Sequence, residues 1–292
     1  MPKDPGEGPQ RSHEPVMVSE VLRFLGSRHR VLDMTVGAGG HAEALLRSGV
    51  GELIGIDRDP AAVEIASRRL ARFGSSSALF VARFSEIPAV DPVDGVLYDL
   101  GVSSMQLDDP DRGFSFRMEG PLDMRMGRKG RSARELVNEA SEEELAQVFW
   151  DFGQERRSRN VARAIVRARN RAPIETTAEL ASVVAGAVGR RRGGPHPARR
   201  TFQALRLAVN RELEELAASL PQASGLLTPG GRVLVISYHS LEDGIVKRYL
   251  KTEPSLDVLT KKPLRPSNEE ATRNRRARSA KLRVAERMET GE

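Results

Sequence analysis

The sequence predicts an α/β fold built on a parallel, doubly wound sheet, and three observations carry that reading. Short apolar runs alternate with stretches of helical period along the N-terminal third. Three of the runs end on a carboxylate, at Asp33, Asp57 and Asp99. A glycine-rich turn, Gly37-Ala38-Gly39-Gly40-His41, follows the first run and precedes a helix. Strands alternating with helices form parallel sheets, and such sheets bind ligands at the carboxyl ends of their strands.

The elements follow in order. Val16 to Leu25 is apolar at helical spacing and packs beside the first strand, Val31-Leu32-Asp33. A helix starts at Gly40, and Gly51 to Asp57 is the second strand. Asp59 then caps a helix with Pro60 in its first turn, running to about Phe73. Ala78 to Val81 and Val93 to Asp99 are the third and fourth strands. The rhythm breaks at Asp108 to Met126, a polar segment of little periodicity. Capping boxes at Ser132-Ala133-Arg134-Glu135 and Ser141-Glu142-Glu143-Glu144 open a helical region. Arg159 to Arg169 and Thr177 to Val188 continue it as far as the break at Gly193-Gly194-Pro195. One long amphipathic helix, Ala198 to Leu220, leads back to a turn at Leu226 to Gly231. Arg232 to Ser237 is the fifth strand and Leu241 to Leu250 a helix. Leu256 to Thr260 and Ala280 to Ala285 are the last two strands, with a basic loop between them.

At 292 residues the chain is long enough for a core domain carrying a second one. The absence of cysteine excludes disulfides, thiolate metal sites and a cysteine nucleophile. No apolar run is long enough to cross a bilayer, and Met1 to Glu14 lacks the apolar stretch of a signal peptide, so a cytoplasmic protein is expected. The net charge is +6, with arginines clustered at Arg156-Arg157-Ser158-Arg159, Arg190-Arg191-Arg192, Arg199-Arg200 and Arg273 to Arg278. Clustering of this kind points to a polyanionic partner, nucleic acid above all. Aromatic content is only 4%, which argues against stacking platforms as the main mode of binding.

The glycine turn matches a dinucleotide fingerprint, with Asp57 at the right distance to hold ribose hydroxyls. Asp33 discriminates, because a carboxylate beside a pyrophosphate repels it whereas one beside an ammonium attracts it. S-adenosylmethionine carries an ammonium and no phosphate. Gly37, Gly39, Gly40, His41, Asp33 and Asp57 are therefore candidate methyl-donor contacts, with Phe84 against the adenine. Asp99 lies where the transferred methyl belongs and is the candidate catalytic residue. Gln106 is a further candidate for a donor contact, although taken by itself it reads rather as a solvated loop residue. Tyr238 to Asp243 is read as lining the acceptor pocket, and Asp108, Asp109 and Asp111 as a solvated acidic turn rather than a metal site.

Longer motifs make the reading specific. They are His13-Glu14-Pro15-Val16, Asp33 to His41, Asp99 to Asp108, Arg112-Gly113-Phe114-Ser115-Phe116, Gly120 to Met126, His196 to Arg206, Ile236 to Asp243 and Ala277 to Arg283. In these the chain resembles the bacterial small-subunit ribosomal RNA cytosine-N4 methyltransferases of the MraW family. The resemblance implies a class I S-adenosylmethionine-dependent methyltransferase core, Rossmann-like with a mostly parallel seven-stranded sheet, at residues 1–112 and 213–292. An all-helical domain is inserted at 113–212. It implies methylation of a cytosine amine in 16S RNA near the decoding centre, within the 30S subunit or a late assembly intermediate. Its donor contacts fall on Gly39, Gly40, His41, Asp57, Phe84, Asp99 and Gln106. The departures are Gln154 for a usual Glu, Tyr238 for Phe, Gly244 for Arg and Arg275 for Pro, none of them expected to touch the donor site. A non-catalytic assembly factor and a nicotinamide dehydrogenase are the competing readings, the latter disfavoured by Asp33.

Overall fold

The computed structural model describes residues 15–189, 194 and 196–289. The N-terminal half of the sheet comes from α1 (Val18–Leu25), β1 (Arg30–Asp33), α2 (Gly40–Arg47), β2 (Glu52–Asp57), α3 (Pro60–Leu70), β3 (Ser77–Val81) and β4 (Val93–Asp99). Among the described residues six α-helices lie between β4 and the next strand up to Asn210: α4 (Ser104–Asp108), α5 (Ala133–Glu139), α6 (Glu142–Asp151), α7 (Ser158–Arg169), α8 (Thr177–Val188) and α9 (Arg199–Asn210). The chain returns through α10 (Glu212–Gly225), β5 (Leu227–Ser237), α11 (Ser240–Thr252), β6 (Leu256–Val258), α12 (Asn268–Arg273) and β7 (Lys281–Arg287). The strand order is β3-β2-β1-β4-β5-β7-β6. Pairs among the first five strands are parallel, while β7 runs antiparallel to both neighbours.

The central strands β1, β2 and β4 are buried on both faces, and alternate residues feed two separate cores. Val31, Leu53 and Leu97 point to the side covered by α1 and α2. Leu32, Ile54 and Tyr98 point to the side covered by α10 and α11. A third buried cluster runs from Phe114 to Leu205 and belongs to the segment between β4 and α10. Its irregular stretch contributes Phe114, Leu122, Met124 and Met126, all buried. No helix among the described residues is long and apolar enough to cross a membrane.

Four expectations need correction. The helix read as Ala198 to Leu220 is two, broken at Arg211, whose φ is 51°. The break is fixed by Asn210, which accepts from Met126 N (2.9 Å) and donates to the Met124 carbonyl (2.7 Å), tying the irregular stretch to the return helix. The turn expected at Leu226 to Gly231 lies inside β5: the β4 register jumps from Val93–Leu227 to Gly95–Arg232, so Pro229-Gly230-Gly231 bulges out of a continuing strand. The basic loop before β7 contains α12 and a 3-10 turn, Ala277–Ser279. The helix expected to reach Phe73 is α-helical only to Leu70 and then tightens to 3-10 geometry. Both capping serines cap their helices, Ser132 reciprocally with Glu135 and Ser141 through the Glu144 amide. His13, Glu14 and the run Arg190 to Arg192 lie outside the described residues.

Candidate active site

The site begins at the carboxyl ends of β2, β1 and β4, three adjacent strands on either side of the point where the strand order reverses. Asp57, Asp33 and Asp99 are their last residues. The turn after β1 is held from beneath. Asp33 is 1% exposed, and its carboxylate accepts from Thr35 N at 3.0 Å. The Thr35 hydroxyl accepts from Asp99 N at 2.6 Å, so the ends of β1 and β4 are locked together. On the other side Asp57 accepts from Gly37 N (3.0 Å) and from Asp59 N (2.9 Å).

The glycines are required by geometry. Gly37 and Gly39 have φ of 51° and 78°, where other residues are strained. A Cβ on Gly39 would come within 3.3 Å of Ala66. A Cβ on Gly40 would fall 2.5 Å from Pro15 Cγ, because residues 15–17 cross directly over the turn. That crossing is pinned at both ends: His41 Nε2 donates to the Val16 carbonyl (2.9 Å), and Met17 N donates to Glu270 in α12 (2.7 Å). Gly40→Ala should therefore push the crossing segment off the turn and lower stability by about 1–3 kcal/mol, the usual cost of overpacking. A shift in thermal midpoint checks it, and an unchanged midpoint would show that Pro15 moves freely.

His41 is buried and turns Nδ1 toward Asp99 Oδ2 at 3.6 Å. The other Asp99 oxygen accepts from the Tyr238 hydroxyl at 2.6 Å. This overturns one expectation, since the departure at Tyr238 does touch a predicted donor residue. A sequence pattern gives no sign of it, because β5 and β4 meet only in the folded sheet.

Gln106 is no solvated loop residue. It is 4% exposed, closes a capping box with Ser103 at the start of α4, and donates to Asp59 Oδ2 at 2.8 Å. Asp59 also meets Arg112 Nη1 at 2.7 Å. Gln106 thus reaches the site through Asp59, whose amide binds Asp57. Phe84 stands edge-on to Tyr98 at 5.8 Å and lines a small recess with Leu100, Gly101 and Leu216. Arg58, Arg83, Glu212, Glu215 and Glu242 form the polar part of its wall.

The electrostatics of this edge are one-sided. Burial pushes Asp33 up to about 6, and the nearby Asp99 and Asp57 add to the effect. Burial also brings Asp57 up to about 6, against the pull of the Asp59 and Gly37 amides. Asp99 is raised by burial as well, with His41 and Tyr238 working in the opposite direction. Three buried carboxylates at one sheet edge suit a cationic ligand that also carries hydroxyls, and they oppose a phosphate.

Comparison with known proteins agrees with this chemistry. A family model described as the MraW methylase family matches residues 10–288. The chain is 48% identical to Ribosomal RNA small subunit methyltransferase H of Thermomicrobium roseum, over 95% of this chain and 94% of that protein. It is 46% identical to the protein of the same name from Azorhizobium caulinodans, over 99% of this chain and 90% of that one. The seven-stranded, mostly parallel sheet is accordingly the Rossmann-like sheet of a class I methyltransferase. A match of this length and identity makes one assignment: the chain belongs to the MraW methylase family.

Proposed function

We propose that the chain transfers a methyl group from S-adenosylmethionine to the exocyclic N4 amine of a cytosine in 16S ribosomal RNA. The observation that carries the donor is the cluster of Asp33, Asp57 and Asp99 around the glycine turn, three carboxylates at the ends of adjacent strands. The relatives' names supply the RNA, and the sequence resemblance supplies the cytosine amine. In this reading Asp57 accepts the ribose hydroxyls and Gly37, Gly39 and Gly40 admit the donor close to the main chain. His41 and Asp99 border its amino-acid end, Asp33 supports the turn electrostatically, and Phe84 lies against the adenine. Gln106 acts through Asp59.

The donor supplies an electrophilic methyl on a sulfonium. The cytosine amine is a weak nucleophile because its lone pair is delocalised into the ring. Asp99, at the end of β4, is placed to accept a hydrogen bond from that amine and keep its lone pair on the methyl. The main task is positioning, and the base must leave any stack to reach the site.

The RNA-facing part is assigned to the inserted helices, residues 113–212. Arg156, Arg157, Arg159, Arg199 and Arg200 are all exposed at one end of this unit. Arg157 donates to the Val188 carbonyl and Arg200 to the Gln154 carbonyl (3.1 Å), which draws the four helix ends together. Gln154 also accepts from Ser240 Oγ at 3.0 Å, so the basic end adjoins the start of α11, two residues beyond Tyr238. Replacing Arg156, Arg159 and Arg199 by glutamine should weaken 16S RNA binding. The slope of log affinity against log salt should fall by about 2, from ~0.7 per phosphate contact on single strands. An unchanged slope would make these arginines an ordinary solvated face.

The assignment as a whole is tested by incubating labelled donor with 30S subunits from cells lacking this protein, then digesting the RNA to nucleosides. Label in N4-methylcytidine is expected. Tight RNA binding without label transfer would favour an assembly factor, and label on another nucleoside would overturn the acceptor.

A further inference from the structure

Tyr238 directly follows β5, outside every donor contact expected from the sequence, yet its hydroxyl is bonded to Asp99. We propose that Tyr238 is a positioning residue of the methyl-transfer site, its hydroxyl fixing the Asp99 carboxylate so that the second oxygen stays turned toward His41. This rests on the reading of Asp99 as a donor contact.

The geometry leaves the phenol one role. Its oxygen lies 2.6 Å from Asp99 Oδ1. Burial and the facing carboxylate hold it protonated far above its usual range, so it is always a donor. The tyrosine is itself held in place: its main-chain N–H donates to Glu242 Oε2 at 2.9 Å, in the cap of α11. Its ring backs onto Gly101, where a Cβ would sit 3.7 Å from Cδ2 and φ is 98°. Tyr238 thus joins the start of α11 to the end of β4 and to the loop beyond it.

Asp99 has few other anchors. Its main chain is held by Thr35 and its Oδ2 faces His41 at 3.6 Å, beyond hydrogen-bond distance. Without the phenol, Oδ1 loses its donor and the carboxylate is no longer held with Oδ2 turned toward His41. The charged groups around it are His41 from α2, Arg276 from the 3-10 turn before β7, Glu242 from α11 and Asp33 from β1. The first two favour the ionised form and the last two oppose it. Loss of the hydroxyl therefore also makes the carboxylate easier to protonate.

The test is calorimetric titration of S-adenosylhomocysteine into the full chain between pH 5.5 and 8.5, with Tyr238→Phe, Asp99→Asn and the double variant. Phenylalanine keeps the ring packing and removes only the oxygen. Tyr238→Phe is expected to weaken binding by about 10-fold at pH 7.5, the scale of one hydrogen bond to a charged group. The acid limb of its pH profile should move to higher pH, and the double variant should bind no worse than Asp99→Asn. Wild-type affinity and pH profile in Tyr238→Phe, beside a clear loss in Asp99→Asn, would overturn the proposal and leave the Asp99 reading intact. Lower thermal stability with unchanged binding would do the same. Wild-type binding by Asp99→Asn would overturn both.

Discussion

Asp57→Ala is expected to weaken binding of the methyl donor by at least about 100-fold in calorimetry, because two hydroxyl-to-carboxylate hydrogen bonds are worth roughly 1.5–3 kcal/mol each. The variant also releases Gly37 N and Asp59 N, which Asp57 holds at 3.0 and 2.9 Å, so the turn itself loosens. Asp57→Asn removes the charge but keeps an acceptor for only one of these two N–H groups, so it loosens the turn less than alanine does. A matching pH dependence follows from the two carboxyls raised to about 6. Each holds its proton in the folded chain over a range where the unfolded chain, near 3.8, has lost it. Their contribution to stability is therefore fully present below about pH 4 and is lost as pH rises through 6. Donor hydroxyls and ammonium favour the ionised forms, so ligand must offset that loss. The rise in thermal midpoint on adding S-adenosylhomocysteine should be larger at pH 7.5 than at pH 5.5. An equal rise at both would remove the carboxylates from the donor site.

Why Asp57 was legible in sequence and Tyr238 was not is a matter of range. Asp33, Asp57 and Asp99 each close an apolar run, and a strand-end carboxylate beside a glycine turn is a local pattern. Parallel pairing then places the three side by side. The need for glycine at positions 37, 39 and 40 is local too, although the clash that fixes Gly40 comes from Pro15. What the pattern could not carry were side chains satisfied from far along the chain. Asn210 reads as one more residue of an amphipathic helix, and only its bonds to Met124 and Met126 explain why the helix stops there. The bulge at Pro229 to Gly231 has the composition of a turn, and only pairing with β4 shows that the strand continues through it. Gln106 looks solvated until Asp59 is brought against it.

Arg112→Ala is expected to be the most destabilising single change, by about 3–5 kcal/mol, the range for breaking a buried ion pair by removing one partner. Arg112 is 7% exposed and Asp59 2%. Their contact at 2.7 Å is joined by bonds from Arg112 Nη2 to the carbonyls of Met126 (2.7 Å) and Arg125 (3.1 Å). Arginine thus connects the irregular stretch of the inserted unit to the cap of α3, and Asp59 passes the connection to Asp57 through its amide. Removing the guanidinium leaves the Asp59 carboxylate buried with only the Gln106 amide and the Ala61 N–H as donors. The double variant Asp59→Asn/Arg112→Met tests the same buried pair. It removes the buried charge together with its partner and refills the space, so it should recover much of the stability that Arg112→Ala loses. Urea midpoints of the three proteins decide the point. A loss below about 1 kcal/mol in Arg112→Ala would mean that water reaches Asp59 and satisfies it, and the pair would then be no more than a partly solvated contact.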